Sequence, residues 1–154
     1  MKYVDTSAFV KYYSDDENEK GTSYVQDIID SAKNGEDLLL TSIITLGETL
    51  SVFDKWLRRR LITEEDFDKI ISEFFSDINL MLEIGSLRVE HINSIIVMFS
   101  LDFIKKHHIN LNDSIHLYIA ISFNPEVEAF ICSDKNLKMA AEKEGLKVVD
   151  PENL

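Results

Sequence analysis

The fold class this sequence predicts is α/β, a parallel sheet sandwiched by helices, and three observations carry that reading. Short apolar runs of strand type alternate with longer segments of helical periodicity. Several of those runs stop abruptly at small polar or acidic residues. No Gly/Ser/Pro-rich linker and no internal repeat divides the chain, which holds only five glycines and two prolines. Residues 1–154 are therefore expected to form one domain, long enough to bury close to ~70% of the surface of the unfolded chain.

Each element has its own signal. Lys2 to Val4 is a short first strand, and "TSAFVKYY" after it starts a helix with Thr6 or Ser7 as cap. The polar "SDDENEKG" is a loop. Val25, Ile28, Ile29 and Ala32 then recur at helical spacing, and Asn34-Gly35 supplies a left-handed stop. "DLLLTS" is a short buried strand. Ser42 caps the next helix, whose stripe is Leu46, Leu50, Phe53, Leu57 and Leu61. Thr63, followed by acids, caps a long helix with Phe67, Ile70, Ile71, Phe74, Phe75, Ile78, Met81 and Leu82 in line. "SLRVEH" is a third strand, followed by a helix over residues 92 to 106. "LNDSIHLYIAISF" is apolar almost all round, so it is a buried helix or, failing that, a strand. "EAFICS" is a strand, "KNLKMAAEKEG" a helix stopped by Gly145, and "KVV" a last short strand.

Composition narrows the function. Sixteen Lys and Arg against 28 Asp and Glu give a net charge of -12, which repels a polyanion unless basic groups are gathered locally or cations intervene. A general nucleic-acid coat protein is thereby disfavoured. With Cys132 the only cysteine, no intrachain disulfide or cysteine-based zinc site forms, and a reducing, cytoplasmic setting is expected. Neither a secretory leader nor an apolar run of membrane-spanning length is present, so no membrane partner is expected.

Ligands of parallel α/β sheets gather outside the carboxyl ends of the strands. Three strands lead there into polar groups: Asp5-Thr6-Ser7, Thr41-Ser42 and Ser133-Asp134. All lie on one sheet edge, which brings Asp5 and Asp134 near each other. Glu48 stands about two turns into the helix that begins at Ser42, within the small and apolar "IITLGETLSV", and Asp113 stands in the first turn of "NDSIHLYIAI". Each acid interrupts an apolar stretch, where an unpaired charge is expensive. A shared Mg²⁺ or Mn²⁺ answers that cost, because hard cations take oxygen ligands, bind phosphate and acidify water. Taken one by one, Asp5 reads equally well as a helix cap, Asp113 as a complement to a helix dipole and Asp134 as a turn acid. Glu48, inside an apolar helix, has no such ordinary reading.

The segments "YVDTSAFVKYY", "TSIITLGETLSV", "LNDSIHLYIAIS" and "FICSDKNLKMAAEKEGLKVVDPE" resemble, in order and separation, the acidic motifs of PIN domains, most closely the VapC-type toxin nucleases. The resemblance covers essentially the whole chain. It implies strand order 3-2-1-4-5 and a Mg²⁺- or Mn²⁺-dependent endoribonuclease, with Asp5, Glu48, Asp113 and Asp134 as the metal-binding acids. The reaction it implies is hydrolysis of an RNA phosphodiester by cation-activated water, leaving 5′-phosphate and 3′-hydroxyl ends. Ser7 matches the polar position two after the first acid and Ser133 the hydroxyl before the last. Ser114 departs from the pattern, standing where alanine is commoner. Partners implied are an RNA substrate, a second copy in a homodimer, and a small antitoxin protein.

Other residues have a functional and an ordinary reading. "KWLRRR" places Lys55, Arg58, Arg59 and Arg60 near a helix end, as contacts for RNA phosphates or an acidic partner, or as a solvated helix terminus. Lys11, two turns after Asp5, is a candidate substrate contact. His116 reads as a hydrogen-bonded core residue, His107 and His108 as surface residues, and Trp56 with the Phe-rich helix as core or dimer contact. A haloacid-dehalogenase-like phosphatase requires an acid at position 7, where Ser7 stands, and a receiver domain requires an acidic pair after the first strand. The alternatives that survive are an RNA-processing nuclease outside any toxin pair and a catalytically silent interaction module.

Overall fold

The computed structural model describes residues 1–14 and 19–154, so the middle of the expected "SDDENEKG" loop, residues 15–18, lies outside the described residues. The chain runs β1 Lys2–Val4, α1 Thr6–Ser14, α2 Thr22–Lys33, β2 Leu39–Ser42, α3 Ile43–Arg58, α4 Glu64–Glu83, β3 Leu87–Glu90, α5 Ser94–His107, α6 Leu111–Ser122, β4 Ala129–Ile131, α7 Lys135–Lys143 and β5 Val148–Val149. A short 3-10 turn, Pro151–Asn153, follows. The five strands form one sheet in the order β3-β2-β1-β4-β5, and every pairing is parallel. This is a single α/β domain with the expected order.

Strand alternation explains the two cores. Successive side chains of a strand point to opposite faces, so Val4, Leu39, Ala129 and Ile131 pack on one face with residues of α1 to α4. Tyr3, Leu40 and Phe130 pack on the other with residues of α6 and α7. Because helices cover both faces, β2 and β4 are buried throughout and read as continuous apolar runs rather than alternating ones. The ambiguous "LNDSIHLYIAISF" is helix α6, with Ile115, His116, Leu117, Ile119 and Ala120 all buried.

Several caps fall where the sequence places them. Ser42 accepts from Thr45 N, and Thr63 forms a reciprocal capping box with Asp66. Gly35 and Gly145 take φ of 78° and 84° just beyond α2 and α7. The first helix corrects the expectation: its N-terminal N–H groups are capped by Asp5, not by Thr6 or Ser7.

Other corrections follow from local geometry. Leu61 leaves the α3 stripe because the helix ends at Arg58 and Arg60 takes φ 56°, which turns Leu61 out to 67% exposure. Phe75 and Leu82 are also outward, leaving Phe74, Ile78 and Met81 as the buried side of α4. The helix expected over residues 92 to 106 begins later, capped by Asn93, whose side chain accepts from Ile95 N and Ile96 N. His107 is not a surface residue. Its ring stacks on Phe103 and its Nε2 stands 2.6 Å from Glu144 Oε1, leaving the side chain 3% exposed. Among the described residues no helix is long and apolar enough to cross a membrane.

Candidate active site

The carboxyl edge of the sheet carries a cleft lined by Asp5, Glu48, Asp113 and Asp134, with Thr6, Ser7, Asn110 and His116 among its other walls. Four sequence segments, each legible as an interrupted apolar run, meet there. Asp5 ends β1, is 5% exposed, and gives one oxygen to α1: Oδ1 accepts from Ser7 N at 2.9 Å and Ser7 Oγ at 2.6 Å. Ser7 Oγ in turn accepts from Ser133 N at 3.1 Å, so this hydroxyl ties the end of β4 to the first acid. Asp134 caps α7, its Oδ1 accepting from Leu137 N at 2.8 Å. Asp113 is held in the first turn of α6 by Asn110, whose Nδ2 donates to Asp113 Oδ2 at 2.7 Å while its Oδ1 accepts from Asp113 N at 2.9 Å.

Glu48 is gripped by three side chains from two helices, α1 and α6. Thr6 Oγ1 donates to Oε2 at 2.5 Å, Asn112 Nδ2 to Oε1 at 2.7 Å, and His116 Nε2 lies 3.3 Å from Oε2. Burial pushes its carboxyl up, but the hydrogen bonds from His116, Thr6 and Asn112 outweigh that and bring it down to about 2. Asp113 goes the other way. Burial, and then the charges of Asp134, Glu48 and Asp5, push it up to about 6 against a smaller opposing pull from His116. Burial also raises Asp5, opposed by hydrogen bonds from Cys132 and Ser7. Asp113 therefore senses the charge of all three other acids.

This donor set fits a hard divalent cation: carboxylate oxygens predominate, and their mutual repulsion at Asp113 is what a cation would relieve. Among the described residues no three Asp, Glu, His or Cys side chains stand close enough to grip an ion as they lie. A second recess, lined by Tyr12, Tyr13, Asp30, Lys33 and Asp77, is polar but internally paired: Tyr12 donates to Asp30, and Tyr13 and Lys33 donate to Asp77.

The remaining candidates lie elsewhere. Lys11 does not line the cleft; its side chain is 3% exposed and its ammonium is paired with Glu19 and Glu152, so in this conformation it is not offered to a polyanion. Ser133 supplies its N–H to Ser7, and its Oγ is buried with no hydrogen-bond partner among the described residues. Arg58 pairs with Asp54 at 2.6 Å on the exposed end of α3, and Arg59 and Arg60 are exposed beside it. Asn110 and Asn112 join the site without a signal of their own in the sequence, while Thr6 belongs to the polar Asp5-Thr6-Ser7 group expected at that edge. His116 is core, as its setting in an apolar helix implies, and it also reaches the site; its position one turn after Asp113 on α6 is the signal that points there.

A parallel α/β sheet with an acidic cleft at its carboxyl edge puts the candidate site where ligands of such sheets gather, and sequence comparison identifies the family. The sequence matches the family described as "PIN domain" over residues 2–143, and the chain belongs to that family. PIN domains are generally nucleases, and PIN nucleases generally use a divalent metal. The fold is similar to that in the crystal structure of PAE2754 from Pyrobaculum aerophilum, with a TM-score of 0.59 and 16% identity over 99% of this chain and 90% of that one. No curated protein matches the sequence significantly.

Proposed function

We propose that this PIN domain is a Mg²⁺- or Mn²⁺-dependent endoribonuclease, the toxin of a toxin–antitoxin pair, with Asp5, Glu48, Asp113 and Asp134 as its metal-holding acids. The observation that carries the reading is the convergence of those acids, from four separate segments, on one cleft at the carboxyl edge of the sheet. When bound, a divalent cation neutralises phosphate charge and acidifies water. The chain's own groups prepare for it. Glu48 is held ionised and oriented by Thr6, Asn112 and His116. Asp5 and Asp134 are fixed because each spends one oxygen on a helix N-terminus. The first turns of α1, α6 and α7 open on the cleft, and their positive ends offset part of the acidic charge and favour an anionic substrate.

A closed circle of RNA is the direct substrate for testing endonucleolytic action. With Mn²⁺ it should be opened, leaving 5′-phosphate and 3′-hydroxyl ends; an intact circle alongside trimmed linear RNA would replace the endonuclease with an exonuclease. The toxin role is supported by the motif resemblance and is tested by expression in a bacterium, where growth should stop for the wild type and continue when the small antitoxin is supplied.

The exposed arginines at the end of α3 are assigned to RNA phosphates. Replacing Arg58, Arg59 and Arg60 together by Gln should weaken RNA binding and flatten its salt dependence, by a log–log slope of ~0.7 for each phosphate that is no longer neutralised. Unchanged RNA binding with failed inhibition by the antitoxin would transfer the patch to that partner. A homodimer is proposed from the apolar residues left exposed on α4 and α5, among them Phe75, Leu80, Met98 and Phe99. Light scattering at micromolar concentration should give twice the 17.7 kDa of one chain; the monomer mass throughout would contradict it.

A further inference from the structure

Tyr3 is fully buried in the middle of the sheet, stacked on Phe130 with ring centroids 5.0 Å apart. A phenol so placed needs a hydrogen-bond partner, and its oxygen lies 2.7 Å from His116 Nδ1, with the side chains of Ser42 and Thr45 also in hydrogen-bond contact. The far nitrogen of the same ring, Nε2, lies 3.3 Å from Glu48 Oε2. A chain of contacts thus runs from the interior of β1, through α6, to the carboxylate on α3.

We infer that Tyr3 is a positioning residue of the metal site, acting through His116 to hold the Glu48 carboxylate ready for a divalent cation; this rests on the proposed role of Glu48. An ionised carboxylate only accepts, so a hydrogen bond between His116 and Glu48 requires the proton on Nε2. In the neutral ring Nδ1 must then accept, and the Tyr3 hydroxyl is the near donor. Ser42 Oγ stands at 3.4 Å from the same nitrogen, too long to replace it well. The opposite tautomer would set the Nε2 lone pair against the carboxylate, so the phenol selects the ring form that supports Glu48. Groups that orient metal ligands in this way typically contribute about 10–100-fold to metal affinity.

The test begins with the metal-free wild type, ¹⁵N-labelled at histidine. Its nitrogen shifts should report His116 as the Nε2–H tautomer; the Nδ1–H form would overturn the inference without any variant. Tyr3→Phe removes only the hydroxyl and keeps the ring. It should bind Mn²⁺ about tenfold more weakly by calorimetry, with His116 no longer held in one tautomer. Should Tyr3→Phe fail to fold, the same comparison is carried by His116→Gln, whose amide N–H can still donate to Glu48, against His116→Leu, which cannot. Gln should retain most of the Mn²⁺ affinity and Leu should lose it. Mn²⁺ affinity unmoved by Tyr3→Phe, or by His116→Leu, overturns the positioning role alone. A wild type that takes up no Mn²⁺ overturns the functional reading and the positioning role with it.

Discussion

Purified Asp113→Asn protein should cleave RNA about a thousandfold more slowly than the wild type while remaining folded. The amide keeps the volume and the Asn110 contacts but loses the charge that helps hold the cation, whose contribution to charge stabilisation is several kcal/mol; ~4 kcal/mol is about a thousandfold in rate. Without metal the variant should be more stable than the wild type, not less. Moving a carboxyl from its ordinary 3.8 to about 6 costs on the order of 3 kcal/mol unscreened and about 1 kcal/mol for a half-exposed group. The folded state holds this proton more tightly than the unfolded one, so metal-free stability falls as pH rises from 3.8 through about 6. The gain from Asn should accordingly be present at pH 7 and absent at pH 3. Thermal melts at the two pH values measure it; a variant that cleaves RNA normally removes Asp113 from the site.

The second large effect is stabilisation of the wild type by the cation itself. Mn²⁺ at a hundredfold excess over Kd should add about 2.7 kcal/mol by mass action, or roughly 5–10 °C in Tm for a chain of this size. The increment should shrink strongly in Asp5→Asn and Asp113→Asn. Protons compete for the same carboxylate, so Mn²⁺ affinity should decline as pH falls through about 6. An Asp5→Asn protein much less stable without metal, yet gaining as much from Mn²⁺ as the wild type, would make Asp5 a helix cap only. The structure shows that capping is one of its tasks, since Oδ1 accepts from the start of α1.

What can be read from the sequence is whatever a single segment decides. Strands β1, β2 and β4 are apolar runs cut off by polar residues, α4 is announced by Thr63 and its capping box, and α6, apolar almost all round, is largely buried as its composition requires. The four acids are visible for the same reason, each being a local break in an apolar pattern. What stays hidden depends on distant pairing. Glu48 is held by Thr6, Asn112 and His116, at separations of 42, 64 and 68 residues. His107 is drawn inward by Glu144, 37 residues away. Lys11 lies at the right distance from Asp5 along the helix to serve a substrate, but Glu19 and Glu152 claim its charge. Leu61 continues a helical stripe in the sequence, and only the positive φ of Arg60 takes it out.

The acids read as a cation-dependent nuclease centre, and that claim meets its most direct measurement in a single titration. Metal-stripped wild-type protein is mixed with RNA at neutral pH, and Mn²⁺ is added stepwise while cleavage is followed. The expected result is no cleavage at the start, a rise that saturates with Mn²⁺, and a flat line at every concentration for Asp113→Asn. Full cleavage by the stripped protein, or a rise that is the same in wild type and variant, would contradict the account.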